Sequence, residues 1–133
     1  MNRIPWDAYE AVLLLQALMG VLDEKVPRTQ AISETSHKLR QMAQNRNWKI
    51  DEKFRDEAGI HLKMMSLEAI FTKKSAKLST AKWMYKICDI YANCPDCFEW
   101  LVQEANRMCY LSPDKKSRTH EINSQNRAYS VIT

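Results

Sequence analysis

Glycine is almost missing from this chain: two residues in 133, beside four prolines. Two glycines cannot build a phosphate-cradling loop, which excludes nucleotide sites of the glycine-rich kind. So few chain breakers also argue against a sheet protein with many tight turns. No apolar run approaches the roughly 20 residues of a membrane span, so no membrane partner is expected. The apolar cluster 11–22 follows Asp7 and Glu10, without the basic leader and small-residue cleavage site of a signal peptide. Histidine is sparse as well. His37, His61 and His120 are scattered, with no His-x-x-x-His and no HNH spacing. The four cysteines, lacking a secretory context, predict reduced thiols in a cytoplasm.

What is present is helix-forming. Leu, Met, Ala, Gln, Glu and Lys are common, and they predict an all-α fold of about five helices. The first starts at Pro5, carries Asp7 and Glu10 in its first turn, and is apolar enough on all sides to be mostly buried. It ends at Gly20 or continues to Asp23, before Pro27. The second covers 29–44, with Ile32, Ser36, Leu39 and Ala43 on one face and Asn45, Arg46 and Asn47 stopping it. A turn at 51–54 leads to Gly59, placed where a positive φ would suit glycine, and then to a third helix striped by Ile60, Met64, Leu67 and Phe71. The fourth covers 79–92 and the fifth ends near Tyr110, joined by the turn 93–96 into a helical hairpin. Trp6, Leu13, Leu39, Phe54, Ile60, Met64 and Leu67 are expected to share one core. The organisation that follows is a single domain over 1–111, made of a three-helix unit (4–71) and the hairpin (79–110). A polar, flexible tail is expected over 112–133, with Tyr129, Val131 and Ile132 available to dock as a short extended segment.

The net charge of +4 is unevenly spread. Residues 37–49 hold Lys38, Arg40, Arg46 and Lys49 with no acid. Residues 60–86 hold Lys63, Lys73, Lys74, Lys77, Lys82 and Lys86 against Glu68 alone. Such segregation makes a basic face on a nearly neutral protein and suits a phosphate backbone, although solvated lysines on a helix face look the same in sequence.

Three stretches carry a resemblance. They are Trp6-Asp7-Ala8-Tyr9-Glu10 with Leu13-Leu14-Leu15, then 36–43 (Ser-His-Lys-Leu-Arg-Gln-Met-Ala), then 54–64 (Phe-Arg-Asp-Glu-Ala-Gly-Ile-His-Leu-Lys-Met). Residues 4–71 resemble the N-terminal helical module of bacterial restriction-type HNH nucleases, where a Phe-Arg-Asn-x-x-Gly-Ile-x-x-Lys-Leu pattern recurs. They are more distantly similar to Myb/SANT-like three-helix DNA-binding domains. Asp56 stands where that pattern has asparagine, and no nuclease half follows. The resemblance implies a DNA-associated accessory role in bacterial defence or mobile-element biology.

On the third helix Leu62, Met65 and Ala69 form a second apolar strip opposite the first. The C-terminal helices are expected to pack on it, which leaves few polar groups for reading bases and favours phosphate contacts. The expected nucleic-acid contacts are Arg40, Arg46, Arg55, Lys63, Lys73, Lys74 and Lys77. Cys94 and Cys97 have the spacing of a zinc knuckle, but Cys88 and Cys109 fall in apolar helical faces and Pro95 sits inside the pair. Ordinary thiols are therefore expected, with no metal and no cofactor. A redox Cys-x-x-Cys would want a βαβ context that is not here. Asp51-Glu52 and Asp56-Glu57 read as helix-end charges rather than an acid/base pair. The sequence-based expectation is a non-enzymatic, cytoplasmic nucleic-acid-binding module, most simply a DNA-backbone binder. The alternative is a protein-interaction adaptor or helical assembly subunit, with a larger protein partner or its own copies.

Overall fold

The computed structural model describes residues 4–72 and 82–110. Five helices make up this part, with no strand among the described residues: α1 (Ala8–Leu22), α2 (Arg28–Asn45), α3 (Glu57–Phe71), α4 (Lys82–Asn93) and α5 (Pro95–Tyr110). The fold is all-α, as the composition predicts. The tail 112–133 and the segment with Lys73, Lys74 and Lys77 lie outside the described residues.

The centre of the fold is α1. Ala11 through Leu15 are five consecutive buried residues, and Leu18 follows one turn on. A helix hidden on every side must be surrounded, and α1 touches all four other helices. The others close a ring around it: α2 packs on α3, α3 on α4, α4 on α5, and α5 on α2. The three-helix unit and the α4–α5 pair expected from sequence therefore share α1, which packs more extensively on α5 than on α3.

Local chemistry explains where the helices stop. Asp7 caps α1 in a capping box with Glu10. The helix continues through Gly20 to Leu22 and ends with Glu24 at φ 60°. The Lys25 amide then reaches the Gly20 carbonyl and the Glu24 amide the Val21 carbonyl, which is a Schellman closure. Gly20 serves here by its missing side chain, since a Cβ would stand 3.2 Å from the Val26 methyl. The α2 terminus repeats the closure: Asn47 is left-handed (φ 64°), and the Trp48 and Asn47 amides donate to Ala43 and Gln44. Asn45, also at this end, donates to the Met108 carbonyl and so ties α2 to the last turn of α5.

Two features of α3 differ from expectation. Gly59 has no positive φ; it lies in the first helical turn, where its amide donates to the Asp56 carboxylate, the N-cap. The left-handed residue is Arg55, at φ 50°. Asp56 thus serves as a helix cap, a role asparagine also fills. The second difference is the outer strip. Ile60, Met64 and Leu67 are fully buried, but Leu62 is 65% and Met65 50% exposed. Of the C-terminal helices it is α4 that packs on α3, and Leu62 and Met65 are left in solvent, while Ala69 is half-buried. Phe54 is half-buried and outside the main core, while the other six residues expected there are in it.

Candidate interaction surface

The Trp6–Glu10 and Phe54–Arg55 pairs meet at the start of α1. Glu10 is fully buried. Arg55 grips it with two hydrogen bonds, Nε to Oε2 at 2.8 Å and Nη2 to Oε1 at 3.0 Å. The same guanidinium donates to the Ile4 carbonyl at 3.0 Å. It lies between the rings of Trp6 and Phe54, 4.6 and 4.4 Å from their centroids. The left-handed backbone at Arg55 turns the side chain back toward α1. Burial pushes the Glu10 carboxyl above its ordinary pKa, and the hydrogen bonds and charge of Arg55 offset part of that rise. The Arg55 side chain is only 11% exposed.

Arg46 does the same work one layer away. Its Nη1 bonds the second oxygen of Asp7, and its guanidinium lies 4.5 Å from the Trp48 ring and 5.5 Å from Tyr9. Trp48 meets Phe54 edge to face at 6.4 Å. Trp6, Arg55, Phe54, Trp48, Arg46 and Tyr9 thus form one ladder of rings and cations. It fastens the start of α1 to the end of α2 and to the turn before α3. Arg46 is 14% exposed, and its Nε is buried without an acceptor.

Arg40 completes the arrangement from α2. It donates to the carbonyls of Asp51 and Phe54, while Ser36 donates to that of Arg55 at 2.7 Å. The three arginines expected at a nucleic-acid surface are therefore gathered at one end of the fold, each turned into it. Their donors hold the 51–55 turn and the acids of α1, so they offer no open row of charge to phosphates. Lys63 is half-buried on α3. Lys73, Lys74 and Lys77 lie outside the described residues. Lys82 and Lys86 are exposed on α4, Lys86 resting 4.9 Å over the Trp83 ring.

The outer face of α3 is the more unusual surface. Ala58, Leu62 and Met65 are exposed at helical spacing, so one apolar ridge runs along the helix. The strip expected under the C-terminal helices was Leu62, Met65 and Ala69; Leu62 and Met65 are instead exposed, and Ala69 is half-buried. Trp100 and Tyr110 on α5, Tyr85 on α4 and Leu22 on α1 are exposed as well.

The buried acid is neutralised by Arg55, and a groove of about 170 Å³ beside α1 and α2 holds Glu34 and Lys38 at its polar edge. No group of three His, Cys, Asp or Glu side chains converges as metal ligands among the described residues, and no described helix is long and apolar enough to cross a membrane. The cysteines differ from expectation. Cys88 is half-buried and Cys109 buried, both free, but Cys94 and Cys97 are joined by a disulfide. Pro95 does not obstruct this bond. It opens α5 at the first helical position, which folds Cys94 and Cys97 onto the same turn. Comparison of the chain with known protein families, with curated proteins and with solved structures finds no match.

Proposed function

We propose that this chain is a non-enzymatic protein-interaction module, an adaptor or assembly subunit, that docks through the outer face of α3. The observation that carries this reading is the exposed Leu62–Met65 ridge on a helix whose opposite face is fully buried. Apolar side chains exposed singly are ordinary, whereas a row at helical spacing on a rigid element fits an apolar groove of a partner protein. The arginines support it indirectly, because their engagement inside the fold removes the strongest part of the expected phosphate-binding surface.

Nucleic-acid binding is a second reading, favoured by a separate observation. Lys82 and Lys86 are exposed on α4, immediately after the sequence run Lys73, Lys74 and Lys77. In this reading the lysines alone contact phosphates, and the DNA-associated defence role implied by the resemblance would rest on them.

A photo-reactive residue placed at Met65, with a control at Lys82, separates the two. Docking through α3 predicts protein adducts from position 65 that high salt leaves unchanged. Adducts to nucleic acid from position 82, lost steeply as salt rises, would instead establish the second reading and remove the first.

A further inference from the structure

We propose that Cys94 and Cys97 form a thiol–disulfide exchange site, with a dithiol as its reductant and Cys97 as the sulfur attacked. The bond joins two residues of one helical turn, with Cα atoms 5.2 Å apart. It spans only three positions, from the α4–α5 junction into the first turn of α5, and so fastens no distant parts of the fold together. A structural cross-link is expected to close a long loop; this one closes the shortest kind. Its position instead suits a thiolate leaving group. Cys94 occupies the cap position before Pro95, where the unpaired amides of α5 point and the helix end is partially positive. The Cys97 amide already donates to the Cys94 sulfur at 3.2 Å. The two residues also differ in exposure: Cys97 is exposed and Cys94 half-buried.

These asymmetries fix the direction of reaction. The thiolate of the dithiol attacks Sγ of Cys97, forming a mixed disulfide there, and the Cys94–Cys97 bond breaks. Its electron pair leaves on Cys94, whose thiolate is held by the Cys97 amide and the end of α5. The second thiol of the reductant, once deprotonated, attacks its own sulfur in the mixed disulfide. Cys97 then leaves as a thiolate and the reductant departs as a cyclic disulfide. Two electrons pass from the dithiol to the protein, and its two protons end on the two cysteines. A small disulfide such as oxidised glutathione runs the pair back, ending as two thiols. The other thiols are unsuited to this chemistry. Burial pushes Cys88 up to about 11, with Asp89 adding to the rise, and burial raises Cys109 as well.

The test uses the full chain in its folded state. Dithiothreitol is added, samples are blocked with iodoacetamide at intervals, and each cysteine is scored by peptide mass spectrometry. Cys94 and Cys97 are expected to become alkylated together while Cys88 and Cys109 stay unlabelled, and oxidised glutathione is expected to restore the bond. With glutathione as a monothiol reductant, the trapped mixed disulfide should lie on Cys97 at least tenfold more often than on Cys94. Four free thiols after equilibration with oxidised glutathione would overturn the site. So would a bond that resists dithiothreitol until the chain unfolds. Glutathione trapped mainly on Cys94 would overturn the assigned direction of attack.

Discussion

Arg55 shows how one residue can look like a binding group in sequence and be a fastening in the fold. Its neighbours in the chain are acids and lysines, and nothing local points to Glu10, which lies 45 positions away. What the sequence does show is Trp6 and Glu10 one helical turn apart, and Phe54 beside Arg55; only the fold shows that each ring lies against the same guanidinium. Breaking a buried ion pair from one side leaves an uncompensated charge. Glu10→Leu and Arg55→Met should therefore each destabilise by about 3–5 kcal/mol in urea unfolding. The double variant should lose less than the sum of the two, because it buries no lone charge; strict additivity would show that the pair is not coupled. Cys88 gives a residue-scale prediction of the opposite kind. Its thiol is raised from 9.0 to about 11 by burial and by Asp89. The folded state thus holds the proton more tightly than the unfolded chain between those values. The contribution is complete below about pH 9 and disappears as pH rises through about 11. A Cys88→Ala variant should show a shallower fall in stability over that interval than the wild-type protein, and equal slopes would contradict the shift.

At the scale of elements, the sequence was most informative about ends. Pro27, the Asn45-Arg46-Asn47 stop and the Cys94-Pro95 turn lie where helices begin or finish, because capping and breaking are local chemistry. The central placement of α1 was half visible, since its apolar residues lie on every side. Less legible was which residue takes the left-handed position. Glycine is the usual choice, yet Gly20 and Gly59 are both helical, and Glu24, Asn47 and Arg55 have positive φ. Asparagine tolerates that region; glutamate does so at a cost near 1 kcal/mol. Glu24→Gly should accordingly raise stability by up to about 1 kcal/mol, read as a higher urea midpoint at unchanged slope. A loss would mean that the glutamate side chain contributes something the backbone argument omits. Phe54 carries the complementary lesson. It was expected in the core on the ground that a turn needs an anchor, but its ring is a rung between Arg55 and Trp48. Phe54→Ala should therefore cost less than Leu14→Ala, for which full burial sets about 2–5 kcal/mol. The same melting series checks both, and the reverse order would return Phe54 to the core.

At the scale of the whole molecule, the sequence suggested two packages, residues 4–71 and the helical pair after them, because hydrophobic periodicity is read one helix at a time and does not say which helix faces which. The fold makes α1 common property. Its buried side chains need cover from α2, α3, α4 and α5 together, and removing two of these would expose part of them to water. Ala11, Val12, Leu13, Leu14, Leu15 and Leu18 cannot all be hidden by α2 and α3, so neither package keeps a closed core alone. Equilibrium unfolding should then be a single transition. The four tryptophans make this measurable: Trp6 and Trp48 report from the ladder, and Trp83 and Trp100 from α4 and α5. Variants that retain only the first or only the second pair should give urea midpoints that coincide with each other and with far-ultraviolet circular dichroism. A fragment of residues 1–72 should lack a cooperative transition, since it loses the α4 and α5 faces. If Trp83 and Trp100 respond at lower urea than Trp6 and Trp48, or if the fragment melts cooperatively, the N-terminal helices are an autonomous unit and α1 is not the common core of the molecule.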